Sequence, residues 1–202
     1  MKTTFRMLAL SCTASLCVAG LAQAQVRVDA ENLIFTPPTN FKVGFHSSKG
    51  PVSITEFVPG DQNVETWTEM VTVQVFRAVP ATAAEFLQTI GGRFVKACTG
   101  TTTKGISTGN ANGYVVSMLV LKCPNNPATG KPETTIFRAI RGGDALYLVQ
   151  HAWRAMASDQ DTDLAIEDLR RTVVCDTRTA EHPCSIPPSQ NLQTQARPAL
   201  GP

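Results

Sequence analysis

Val64-Glu65-Thr66-Trp67-Thr68-Glu69-Met70-Val71-Thr72-Val73-Gln74-Val75-Phe76-Arg77 is the stretch on which the fold reading turns. It begins as a polar turn and passes through one of the chain's two tryptophans. It then alternates, Val71, Val73 and Val75 facing one way and Thr72, Gln74 and Phe76 the other, the period of two that a strand in a sheet imposes. Trp67, placed just ahead of that strand, is expected to anchor beneath the sheet. The same stretch contains no catalytic spacing, so it speaks to architecture before it speaks to chemistry.

Downstream, Pro80 closes the strand and Thr82-Ala83-Ala84-Glu85 has the form of a capping box, a hydroxyl and a carboxylate three apart that satisfy the first free amides of a helix. A helix over about Ala83 to Ala97 follows, with Phe86, Leu87, Ile90, Phe94 and Ala97 as its apolar stripe. Gly91-Gly92 costs such a helix up to about 2 kcal/mol against alanines, so close packing on a sheet or a break is expected there. Thr99 to Thr108 reads as an exposed strand, Gly109 to Gly113 as a turn, and Tyr114 to Leu121 as a strand apolar on both faces. Pro124 to Pro132 reads as a mobile hairpin loop. Gly130-Lys131 within it is followed by Pro132 and lacks the upstream glycine of a phosphate loop. Thr134 to Ile140 and Ala145 to Trp153 flank Arg141-Gly142-Gly143-Asp144, a hairpin signal, and place Tyr147, Val149, His151 and Trp153 on one face. A second helix is expected over about Thr162 to Val174, with Ile166, Leu169 and Val173 inward.

Upstream, Asn32 to Thr36 reads as a strand stopped by Pro37-Pro38, and Phe41 to His46 forms a hairpin with Val52 to Val58 through a Ser-Ser-Lys-Gly turn. Glu56 interrupts the aliphatic row Val52, Ile54, Val58. It is expected to face water, the rival being a half-buried carboxylate held by Arg77 or Arg138.

The first 24 residues read as a secretory leader: Lys2 and Arg6 at the start, an apolar run from Met7 to Ala22, and cleavage after Ala22-Gln23-Ala24. Leu16 before Cys17 argues against a lipid anchor. Lys2 and Arg6 are two of the 18 basic residues and the leader has no acid, so both signs stand at 16 after cleavage. A neutral mature chain has no basic surplus for nucleic acid or an anionic membrane. No later apolar run approaches the roughly 18 residues of a membrane span. Of the six cysteines, Cys98, Cys123, Cys175 and Cys184 lie beyond the leader, and in an oxidising compartment they are expected as disulfides. Four cysteines allow three pairings; Cys98 with Cys123 and Cys175 with Cys184 are the pairs expected. The rival is a zinc site adding His182 to Cys175 and Cys184, but neither C-x-x-C nor H-x-x-x-H occurs. Residues 185–202, rich in proline and glutamine, are expected to be disordered.

These elements make one α+β domain over 25–184, an antiparallel sheet of six to eight strands with two helices packed on it. Their order resembles the PsbP-like class, which includes extrinsic proteins of photosystem II and a Ran-binding nuclear import factor. Trp67-Thr68-Glu69-Met70-Val71-Thr72-Val73, and Cys175-Asp176 to His182-Pro183-Cys184, resemble stretches of small exported bacterial proteins of no assigned activity. The resemblance implies binding or assembly rather than catalysis; no manganese, calcium or Ran-contact residue matches, and none is carried over.

The chemistry-bearing residues are sparse. The three histidines are His46 near a strand end, His151 within a strand and His182 between cysteines. A core role is expected for His151, and no G-x-S-x-G raises a Ser-His-Asp triad. Asp159, Asp161 and Asp163 alternate as calcium ligands might, but the glycine turn and later glutamate are missing, so they are expected to favour a helix start. No cofactor or metal motif remains. Aromatic surface is the better candidate: Trp67, Glu69 and Trp153 are the expected binding residues, with Phe76 and Tyr147 near them. The expected function is a non-catalytic periplasmic or secreted protein that binds or helps assemble envelope or secreted components. The alternative is a small secreted hydrolase, or an inhibitor of one.

Overall fold

The structure, a computed structural model, describes residues 30–184. The leader, its cleavage point and the C-terminal stretch 185–202 lie outside the described residues. In chain order the elements are β1 (Glu31–Ile34), β2 (Phe41–Lys49), β3 (Val52–Pro59), β4 (Glu69–Phe76), α1 (Ala83–Ala97), β5 (Thr102–Ala111), β6 (Tyr114–Asn126), β7 (Lys131–Arg141), β8 (Leu146–Trp153), α2 (Asp159–Arg170) and β9 (Val173–Asp176).

Seven strands form one antiparallel sheet in the order β2-β3-β4-β8-β7-β6-β5, and β1 pairs with β9 in a separate two-stranded ribbon. The strand read first, β4, lies third in the sheet between β3 and β8. Alternation sends Val71, Tyr147, Val149, Ile136, Ile140, Val116 and Met118 to one face. There α2 and the ribbon cover them with Ala165, Leu169, Leu33 and Val174. The opposite face carries Leu119, Leu121, Phe137, Ala139 and Leu148, which α1 covers with Ala83, Leu87, Phe86, Ile90 and Phe94. The domain is thus an α+β unit of layers either side of one sheet, which explains why β6, β7 and β8 are apolar on both faces.

Both helix starts are set locally. Thr82 accepts from the Glu85 amide while the Glu85 carboxylate accepts from the Thr82 amide at 2.9 Å, the expected capping box. Ser158 caps α2, whose first turn holds Asp159 and Asp161, favourable at the positive end of the helix dipole. Gly91 is a packing requirement: a Cβ there would stand 2.9 Å from Leu119 Cδ2, so the helix runs unbroken close over the sheet. Cys98 joins Cys123 and Cys175 joins Cys184, across Cα separations of 6.0 and 4.8 Å. The zinc reading falls with the second of these.

Several expectations are corrected. The hairpin connection expected over Pro124 to Pro132 is shorter than read: β6 runs to Asn126 and β7 begins at Lys131, leaving 127–130 as the turn, with a register shift between Cys123 and Asn126 that takes in Pro124. The strand β5 begins and ends three residues later than read, leaving Asn112-Gly113 as the turn, both at positive φ. The second helix starts at Asp159 and stops at Arg170; β-branched Val173 and Val174 instead pair with Ile34 and Leu33. Glu56 does not simply face water. It is half-buried, and burial raises its carboxyl above the ordinary value. Arg138 sits on the other face, in register between Met118 and Val149, so it cannot hold Glu56. Trp67 is only half-buried at the turn before β4, not an anchor under the sheet.

Candidate functional site

Antiparallel pairing of β4 with β8 sets Glu69 opposite Trp153 and Val71 opposite His151, so all four side chains share one face at one end of the sheet. His151 Nε2–H donates to Glu69 Oε1 at 2.6 Å, and the imidazole stacks on Trp153 with centroids 4.2 Å apart and planes at 22°. His151 is 6% exposed. The carboxylate therefore fixes one ring nitrogen and the indole covers one face of the ring, which makes His151 a satisfied, buried histidine, the core role expected from the sequence.

Arg154, next along β8, continues the ladder by donating its amide to Thr68 O at 2.9 Å. Its guanidinium lies 4.2 Å from the centroid of Trp67, a cation–π contact, and Nη1–H donates to Glu65 O at 2.8 Å. Arg154 Nε is buried without a hydrogen-bond partner among the described residues. Glu133, 8% exposed, accepts from Asn126 Nδ2 at 2.6 Å. Burial raises the Glu133 carboxyl, against the lowering effects of that hydrogen bond and of the Arg154 charge. The expected trio is thus divided. Glu69 and Trp153 meet through His151, whereas Trp67 is held by Arg154, a residue that sequence reading did not single out.

At the opposite end of β8 a second polar cluster fastens the C-terminal segment. Glu31 accepts from the amides of Gly143 and Asp144 and, at 3.2 Å, from Tyr147 Oη–H. Arg178 bridges Asp144 and Asp176 at 2.8 and 2.7 Å. His182 stacks on Tyr114 at 3.8 Å and donates from Nδ1–H to Asn112 O at 2.9 Å. Burial, then Glu31, pushes the phenols of Tyr114 and Tyr147 well up, so both are neutral donors. These contacts are structural ties between the β5–β6 turn, the β7–β8 turn and the disulfide loop. Nothing in the local sequence announces them, because Glu31 and Tyr147 are 116 residues apart.

Chemically, the Glu69–His151 pair has half of an acid–base constellation. The hydrogen bond to Glu69 is the one on His151 among the described residues, with no hydroxyl or thiol nucleophile joined to it. No group of three or more His, Cys, Asp or Glu among the described residues is arranged to hold a metal ion. No helix among them is long and apolar enough to cross a membrane.

No family model matches the chain, and no curated protein matches it in sequence. Several solved structures are similar to it. LpqN of Mycobacterium tuberculosis, described as involved in cell envelope biogenesis, is 16% identical over 71% of this chain and 81% of its own, with a TM-score of 0.44. PsbP of Synechocystis sp. PCC 6803 is 11% identical over 75% of this chain and 95% of its own, with a TM-score of 0.45. The Ran-binding protein Mog1p of Saccharomyces cerevisiae is 8% identical over 68% of this chain and 83% of its own, with a TM-score of 0.39. A PsbP, of the class named from the order of elements, is thus among the solved structures to which the chain is similar.

Proposed function

We propose that this is a non-catalytic exported protein, periplasmic or secreted, that binds or helps assemble envelope or secreted components. The observation that carries the reading is the half-buried Trp67, clamped by Arg154 at the end of β4 and β8. Trp and Arg are the residues most enriched at binding hot spots, and an indole fixed before the partner arrives loses little freedom on binding. Two disulfides supply the stability that an oxidising compartment permits. The imidazole of His151, closed between Glu69 and Trp153, supports a structural role for that histidine over the hydrolase alternative.

A photo-crosslinking residue placed at Trp67 in the full-length chain, expressed so that it is exported, tests this against the same residue at Val95 on α1, which is 48% exposed. The expected result is a discrete adduct from position 67 and none from 95, with Trp67→Ala folded and its melting temperature little changed. Unfolding by Trp67→Ala would return the residue to a core role. Labelling by a fluorophosphonate that His151→Ala abolishes would favour the hydrolase.

A further inference from the structure

The two disulfides differ in their surroundings. Cys98 and Cys123 are 3% and 0% exposed, at the C-terminal end of α1 where it meets β6, so exchange at that bond needs helix and strand to part. Cys175, within β9, is likewise 0% exposed. Its partner Cys184 is only half-buried and stands on the wall of an open hollow of about 300 Å³, formed with Asp176, Arg178, Thr179, Ala180 and Pro183. One end of the second bond thus belongs to the core and the other to a surface loop.

The segment that this bond closes has no core of its own, since none of 177–184 is buried. It is seated by polar contacts at the surface. The Asp176 amide donates to His182 O at 2.8 Å, Asn112 Nδ2–H donates to Pro183 O at 3.2 Å, and the His182 ring lies on Tyr114. Each such contact is small against the entropy of ordering the segment, so the covalent tie at Cys184 is what keeps it in place. The domain does not need that tie. Val174 and Cys175 pair with Leu33 and Asn32 of β1, and Val174 packs among Tyr114, Ile140 and Tyr147, so β9 keeps its ladder and its burial with the bond open. Arg178 likewise keeps Asp144 and Asp176, which leaves 179–184 as the part that comes free.

We propose that Cys175–Cys184 is a thiol-exchange site, a redox latch on residues 179–184 whose co-substrate is a dithiol of the surrounding compartment. The attacking thiolate bonds to Cys184 Sγ, and the electron pair of the S–S bond leaves on Cys175 Sγ, which takes up a proton. The second thiol of the reductant then displaces Cys184 as a thiol. Two protein thiols form and the dithiol becomes its disulfide. Attack falls on Cys184 because approach in line with the bond comes from the surface on that side and through the core on the other. Closed, the latch holds His182 over Tyr114, which is 8% exposed; open, it presents that ring and the Asn112-Gly113 turn. The latch lies at the opposite end of β8 from Trp67, so it stands or falls apart from the binding reading.

The test titrates the exported protein, both bonds closed, with dithiothreitol in the absence of denaturant. Free thiols take one mass label, the remaining cysteines take a second after full reduction, and peptides are read by mass spectrometry. Cys175 and Cys184 are expected to acquire the first label at least about tenfold faster than Cys98 and Cys123, with the melting transition still cooperative and the Tyr114 and His182 ring signals moved by NMR. Glutathione, a monothiol, should be trapped on Cys184 and not on Cys175. Cys175→Ala with Cys184→Ala should fold and show the Tyr114 signals of the reduced protein without any reductant. Equal rates at the two bonds, an adduct on Cys175, or Tyr114 signals that reduction leaves unmoved would each overturn the proposal. Loss of the fold in the double variant, or on reduction of this bond alone, would also overturn it by making the bond a structural staple.

Discussion

Replacing Cys98 and Cys123 together by alanine removes the bond that ties the C-terminus of α1 to β6. The two residues are 25 apart in sequence, and closing a loop of that length in the unfolded chain is worth about 3.5 kcal/mol at 25 °C on the chain-entropy account. Cys98 and Cys123 are 3% and 0% exposed, so the loss of packed sulfur adds about 1 kcal/mol more. The expected fall in unfolding free energy is therefore about 4–5 kcal/mol. At about 2–4 °C per kcal/mol for a domain of this size, the melting temperature falls by at least about 8 °C. The shorter loop of Cys175–Cys184, separated by 9, gives about 2.7 kcal/mol, so the two double variants have a stated order. Equilibrium urea unfolding measures both, and the m-value should rise when the longer loop is opened, because the unfolded chain then exposes more surface. A loss below about 1 kcal/mol for the longer loop, or a larger loss for the shorter one, would refute the reasoning.

Arg138 is 3% exposed and donates from Nε–H to Thr172 O at 3.1 Å; burial, with the nearby Arg170 charge, pushes its guanidinium down to about 10 from 12.5. The depression corresponds to about 3 kcal/mol of disfavoured charge, which exceeds a typical hydrogen bond, so Arg138→Met should be at least as stable as the parent in urea. Arg138→Ala should lose about 2 kcal/mol or more to the cavity, and a comparable loss in the Met variant would show the cation to be net stabilising. Gly113 has φ +82, and a Cβ there would stand 2.6 Å from His182 Nδ1, whereas Gly50, φ +56, has open space around it. Gly113→Ala should therefore cost about 1–2 kcal/mol more than Gly50→Ala and move the Tyr114 ring signals by NMR; equal costs would contradict the crowding. Arg178, by donating to both carboxylate oxygens, lowers the Asp176 carboxyl from 3.8 to about 2. Its folded value lies below its unfolded one, so its stabilisation is present above about pH 4 and lost as pH falls towards 2. Asp176→Asn should flatten thermal stability across that window, and an unchanged acid profile would count against the ion pair.

What the sequence determined by itself is everything whose cause lies within a few residues. Thr82 and Glu85 begin α1, alternation from Val71 to Phe76 makes a strand, and Asn112-Gly113 turns the chain, because capping, period and positive φ are local properties. The α+β class follows from that order of elements; four cysteines allow three pairings, and the structure joins the two pairs expected, Cys98 with Cys123 and Cys175 with Cys184. What only the tertiary structure decided is register and strand neighbour. Local pattern read Val173 and Val174 as helix where β1 pairs with them, and read the whole of Pro124 to Pro132 as hairpin loop where the strands run on to Asn126 and start again at Lys131. The Glu69–His151 pair joins residues 82 apart, and the Asp144 amide reaches Glu31 across 113. Trp67 on Arg154 depends likewise on which strands lie side by side. Such contacts come from closing long loops around a shared core, and their energy is carried by residues that are neighbours in space alone.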